Sequence, residues 1–141
     1  MKLELGMWVN RRMVTVAFAA GAVILIGTVA FTSARYRELS DRVPLHFGIT
    51  GIADSYGPRP FVWLIVGLQL LCAILYTVLY LSEGDRGLLV MGVGISAIFL
   101  WAQTQIVSAA ITGKNHIPVA QFWIVFVTIL VATIVIARLI R

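Results

Sequence analysis

The chain has 141 residues, 60% of them hydrophobic and 12% charged, with a formal net charge of +5 and a mean hydropathy of +0.97. Globular chains average about 45–50% apolar and about 25% charged residues, so the composition excludes a soluble enzyme and a disordered chain, and the single cysteine, Cys72, excludes a disulfide scaffold. The basic residues sit between long apolar runs rather than on one polar face, which excludes a nucleic-acid binder.

A helix rises about 1.5 Å per residue, so about 20 apolar residues cross a hydrocarbon core about 30 Å thick. Residues 13–34 are the first run of that length, and Lys2, Arg11 and Arg12 precede it. Basic residues ahead of an apolar run ending in Thr32, Ser33 and Ala34 have the outline of a signal peptide. The run is longer than the roughly 7–15 residues of a signal core, so it is read as a retained span. Residues 61–81, 88–112 and 119–137 are the other three, and none of the four contains Asp, Glu, Lys, Arg or His. They lack the two-residue alternation of a barrel strand, and in lipid only a helix or a closed barrel pairs all its backbone groups. The expected fold is therefore an all-α membrane protein, a single domain of four transmembrane helices over residues 1–141.

Tight turns at 82–87 and 113–118 make their flanking helices antiparallel neighbours. The connection 35–60 is far longer than a turn needs and too apolar for a disordered linker, so it is expected to lie on the helix ends as an ordered cap. Pro44 fixes φ and biases Val43 toward an extended backbone, so residues 42–47 should run extended. Alternation then directs Val43, Leu45 and Phe47 at the helices and Pro44, His46 and Gly48 away from them. Gly48 and Gly51 suit a turn needing positive φ. Asp54 returns eight residues after His46, close enough for the side chains to meet, and Pro60 suits the first turn of the second span.

The preferred reading of His46 and Asp54 is a hydrogen bond that pins the cap, with the imidazole partly buried. A metal site would add Glu38 or Asp41, but one histidine with scattered acids lacks the ligand pattern of structural zinc. Catalysis with His46 as general base would need a nucleophile, and no elbow surrounds Ser40 or Ser55. The remaining reading presents His46, Arg42 and Arg59 to another protein or a lipid head group. No metal, cofactor or enzymatic activity is expected. His116 lies in the turn on the cap side, where it reads as a turn residue whose approach to His46 would make a histidine pair.

The third span carries Ser96, Gln103, Thr104, Gln105 and Ser108; positions 96, 103, 104 and 108 give it a partly polar face to which Gln69 and Gln121 are expected to hydrogen-bond as glue between helices, with a small-molecule pocket as the functional alternative. Trp101 should fill space between helices. Ala17 with Gly21, and Gly92 with Ser96, allow close approach to a neighbouring helix or a second copy. Phe31, Tyr36, Phe61, Trp63, Phe122 and Trp123 form one interfacial girdle, and Trp8, Tyr76 and Tyr80 the other. Six basic residues against five orient the chain weakly. The Arg11–Arg12 flank places both termini in the cytoplasm and the cap outside, in the cell membrane.

The loop sequence YRELSDRVPLHFGITGIADSYGPRP supplies Val43, Pro44, His46, Phe47, Gly51, Asp54, Tyr56, Gly57 and Arg59, with Leu39 and Asp41 before them. This order resembles the extracytoplasmic loop of a bacterial membrane family whose best-known members are SdpI-type toxin-immunity proteins. The chain departs from that pattern at Gly48, Ser40 and Tyr56, where the family usually has Asn or Asp, Pro, and Trp. The resemblance implies a membrane binding or signalling protein that uses residues 35–60 for recognition. Its loop motif would be Pro44, His46, Phe47, Gly51, Asp54, Tyr56, Gly57 and Arg59, and its partners the lipid bilayer and a membrane protein or a peptide toxin. The alternative is a small accessory subunit that stabilises a larger membrane complex through its helix faces.

Overall fold

The computed structural model describes residues 2–140, and side chains from residue 11 onward. The side-chain positions expected for Lys2 and Trp8, and that of Arg141, fall outside what is described. Four long helices are present: α1 (Lys2–Arg35), α2 (Val62–Glu83), α3 (Arg86–Thr112) and α4 (Val119–Leu139). Each contains a stretch long and apolar enough to cross a membrane. The last three match the expected spans to within two residues. The first is longer than expected, because its helix continues back to Lys2 and carries Arg11 and Arg12 on its own turns.

The turns are built by local chemistry. Gly84 ends α2 at φ 70°, its N–H bonding the Tyr80 carbonyl, and Asp85 then caps α3 by accepting from the Gly87 N–H at 2.8 Å. Gly113 ends α3 in the same left-handed conformation. The helices do not form a symmetric bundle. α3 packs against the other three, whereas α4 lies on α3 and makes no comparable contact with α1 or α2.

Small residues set these seams. Ala17, Gly21, Gly92 and Ser96 line one narrow crevice between α1, α2 and α3, so both small-residue pairs serve neighbours within the chain. Gly92 faces Tyr76, and Gly94 faces Thr133, whose side chain occupies the place a Cβ would need. Gln69 and Gln103 are fully buried. Gln69 Nε2 donates to the Ser96 carbonyl at 3.3 Å; Gln103 Nε2 donates to Thr32 Oγ1 at 2.9 Å and to the Val62 carbonyl at 3.2 Å. Gln69 to Val62 and Ser96 to Gln103 are both two helical turns, so the amides form two rungs between antiparallel helices. Gln121, expected to join them, is exposed on α4. Trp101 is half-buried, with its indole N–H buried and unpaired.

The all-α expectation is corrected in the 35–60 connection. After a 3-10 turn at Tyr36–Glu38, the chain forms an antiparallel hairpin of β1 (Arg42–Phe47) and β2 (Ala53–Pro58), then a second 3-10 turn at Arg59–Phe61 that leads into α2. Pro60 sits at the start of that turn, where a missing N–H leaves no bond unmade. The buried core lies where the hairpin meets the helix ends: Leu39, Val43, Val62, Ile106, Val107 and Ala110, with Phe47 and Leu45 packed on it.

Candidate functional site

Residues 42–47 are extended as Pro44 predicts, and Val43, Leu45 and Phe47 face the helices. The alternation fails at Pro44, which is buried as well. The cause is a double irregularity in the register. Pro44 pairs with Tyr56, His46 with Ser55, and Phe47 with Ala53, so Leu45 is an extra residue in β1 and Asp54 an extra residue in β2. Each insertion twists its strand locally and re-aims side chains. Pro44, which has no N–H to give a ladder, lies beside the first.

The second insertion makes the site. Asp54 turns out of the ladder beside His46, and the His46 Nδ1–H donates to Asp54 Oδ1 at 2.7 Å. A carboxylate is an acceptor, which fixes the proton on Nδ1 and leaves Nε2 facing outward. The expected pair is present, but the partial burial is not. The His46 and Asp54 side chains are 70% and 52% exposed, because the bulges turn them out toward solvent at the groove mouth.

The other motif residues build the hairpin. Gly57 makes room for bulged Leu45, whose Cδ1 lies 2.6 Å from where a Gly57 Cβ would stand. Arg59 closes the base twice, its N–H donating to the Asp41 carbonyl at 3.0 Å and its guanidinium to Asp41 Oδ1 at 2.7 Å. Arg59 is therefore engaged rather than presented to a partner, and Glu38 likewise pairs with Arg35 at 2.9 Å. With both acids committed, neither joins His46 and Asp54, and the described residues contain no group of three His, Cys, Asp or Glu that could hold a metal. Phe47 packs on the core, whereas Tyr56 stays exposed opposite Pro44.

The turn is closed by the Gly51 N–H donating to the Gly48 carbonyl at 2.8 Å. Of the two glycines, Gly51 alone has positive φ, at 78°; Gly48 instead lies beside the Asp54 carboxylate, where a Cβ would be 3.4 Å from Oδ2. Gly51 is constrained twice. A Cβ there would overlap Val119 and stand 2.7 Å from the Ile117 carbonyl. The reason is a contact that local sequence does not announce: the 113–118 turn runs against the hairpin tip. Ala53 N–H donates to the Asn115 carbonyl at 2.7 Å, Ile117 N–H donates to the Gly51 carbonyl at 2.9 Å, and Ile52 bridges His116. His116 thus acts through its backbone, as part of a third strand-like segment.

Beneath the tip, a half-open groove of about 440 Å³ separates the hairpin from α3 and α4. Leu45, His46, Phe47, Gly48, Ile49 and Gly51 form its upper wall; Ala102, Gln105 and Ile106 of α3 and Ile117, Val119, Phe122 and Trp123 form the rest. This volume lies within the range of about 300–1,000 Å³ usual for small-molecule sites. The sequence marks Gln105 among the polar residues of the third span and Phe122 and Trp123 in an aromatic girdle, and it allows a pocket at that span without showing that the hairpin supplies the other wall.

A family model described as a domain of unknown function (DUF1648) matches residues 23–70, which hold the last third of α1, the hairpin and the start of α2. No curated protein and no solved structure matches the chain.

Proposed function

We propose that the chain is a multi-pass membrane protein that recognises a ligand with its 35–60 cap, the ligand seating in the groove between the hairpin and α3–α4. The observation that carries this reading is the shared wall. Six of the residues lining the groove, Leu45, His46, Phe47, Gly48, Ile49 and Gly51, lie in the loop sequence singled out for its motif. Most motif residues have structural duties, while His46, Asp54 and Tyr56 remain exposed, the first at the groove itself. The finer reading, toxin immunity or envelope sensing, draws its support from the resemblance of the loop to SdpI-type proteins. The groove adds a place where an apolar segment of a membrane-inserting peptide would lodge.

The accessory-subunit reading draws on the broad exposed faces of α1 and α4, such as Val23 and Val131. Lipid covers such faces equally well. A photo-reactive residue installed at Ile49, on the groove rim, or at Leu71, on the open face of α2, separates the two readings. Recognition through the cap gives one discrete adduct at Ile49 and none at Leu71. Protein adducts at Leu71 with none at Ile49 would reverse the assignment.

In the same reading the cap faces out of the cell and both termini lie inside, supported by Arg11 and Arg12 at the end of the first span away from the cap. A reporter at the C-terminus should behave as cytoplasmic and one inserted at Thr50 as external. The opposite pair of results would invert the protein in the bilayer.

A further inference from the structure

Resting on that reading of the cap, we propose that the groove holds one acyl chain and the ester region of an anionic glycerophospholipid from the leaflet on the cap side. Lipid tails are as apolar as leucine, so apolar walls alone give no preference over bulk bilayer. Any preference has to come from polar groups at the right depth. α3 has 27 residues, which at about 1.5 Å each span about 40 Å, close to the full bilayer with its headgroup zones. Thr112 then marks the outer edge of the headgroups. Gln105 lies two turns inward, about 10 Å deeper, and each headgroup zone is only about 5–8 Å thick. That depth is the margin of the hydrocarbon, where a glycerophospholipid carries its ester carbonyls.

Gln105 lines the groove, and its side chain bonds no other described residue. Its amide N–H is available to an ester carbonyl. One turn deeper, Ala102 leaves space in front of Trp123 for the chain. At the mouth His46 has committed its Nδ1–H to Asp54, so Nε2 is left as an acceptor for a headgroup hydroxyl. The cap side carries Arg37, Arg42 and Lys114 exposed and without ion pairs to described residues, whereas Glu38, Asp41 and Asp54 are each engaged. The surplus positive charge complements a phosphate and favours an anionic head over a zwitterionic one.

The test is native mass spectrometry of the full chain released from nanodiscs containing equal amounts of phosphatidylglycerol and phosphatidylcholine. The wild type should retain one phospholipid per chain, with phosphatidylglycerol preferred. Ala102→Trp should fill the groove and bring retention to background. Gln105→Leu, close in size and without effect on thermal unfolding, should weaken retention about fivefold, the equivalent of one hydrogen bond. If Ala102→Trp does not fold, Gln105→Leu decides. Equal retention by the wild type and a stable Gln105→Leu variant would overturn the proposal, as would equal retention of the two phospholipids. A peptide adduct at Ile49 with no lipid retained would overturn the lipid occupant and leave recognition by the cap standing. Lipid retained with no peptide adduct at Ile49 would leave the lipid occupant standing and overturn a peptide as the ligand of the cap.

Discussion

At the cap end, Leu39, Val43 and Val62 are buried with Ile106, Val107 and Ala110, and the cap over them carries two backbone ladders, the Arg59–Asp41 ion pair and the His46–Asp54 hydrogen bond. Toward the opposite end, Val16, Val23, Val78 and Leu139 are open, and the contacts run along narrow seams of small residues such as Ala17, Gly21 and Gly92. The contrast follows from the solvent each region meets. In the bilayer an exposed valine costs nothing, so helices need only shape complementarity and a few hydrogen bonds to associate. The cap lies where water competes, so the hydrophobic effect operates and gathers a core beneath the hairpin. The cap end is also where the groove lies.

If the cap end organises the fold, the most damaging single change should be at its tip. Gly51→Val forces a β-branched side chain into positive φ and into Val119 and Ile117. Backbone strain and overpacking together should cost about 2–4 kcal/mol. Limited proteolysis at the 49–50 bond should accelerate by more than tenfold, while the four spans remain inserted. Unchanged cleavage would show that the link between the hairpin and the 115–117 segment contributes little.

The seam counterpart is Gly94→Val, which drives a side chain into Thr133 and separates α4 from α3. It should lower stability by about 1–3 kcal/mol in thermal unfolding, with cleavage at the hairpin tip little changed. A larger effect than that of Gly51→Val would reverse the ranking of the two regions.

The smallest effect should come from the residue most visible in the sequence. His46→Ala removes a hydrogen bond between two exposed side chains, of the kind that contributes about 0.5 kcal/mol. Proteolysis at the tip should rise about twofold and the unfolding temperature should barely move. A loss as large as that at Gly51 would make the pair a structural pin rather than part of a binding surface.

The helices were legible because runs of 19 or more apolar residues without charge leave no other arrangement in lipid. The His46–Asp54 pair was legible because Pro44 sets an extended strand and a glycine turn brings the chain back. What escaped was whatever depends on distant segments. Nothing near Gly51 signals Ile117, nothing near Gly94 signals Thr133, and the polar stripe of α3 does not say that Gln103 reaches Thr32 rather than Gln121. Pro44 was placed on the wrong face because strict alternation assumes a regular ladder, and two inserted residues break it. The groove escaped for the same reason, since its walls come from three separate parts of the chain.

The bonds from Gly51 and Ala53 to Ile117 and Asn115 also set an order of events during synthesis. The tip's partners are about sixty residues downstream, beyond the whole of α2 and α3. At about 5–20 residues per second a growing chain needs roughly 3–12 s to cover that distance. For that interval the hairpin exists with its tip unsecured and the groove without its far wall. Completion of the cap therefore reports that the turn after the third helix has arrived, so a chain truncated before Asn115 would expose the 48–53 tip to proteases that the finished protein resists.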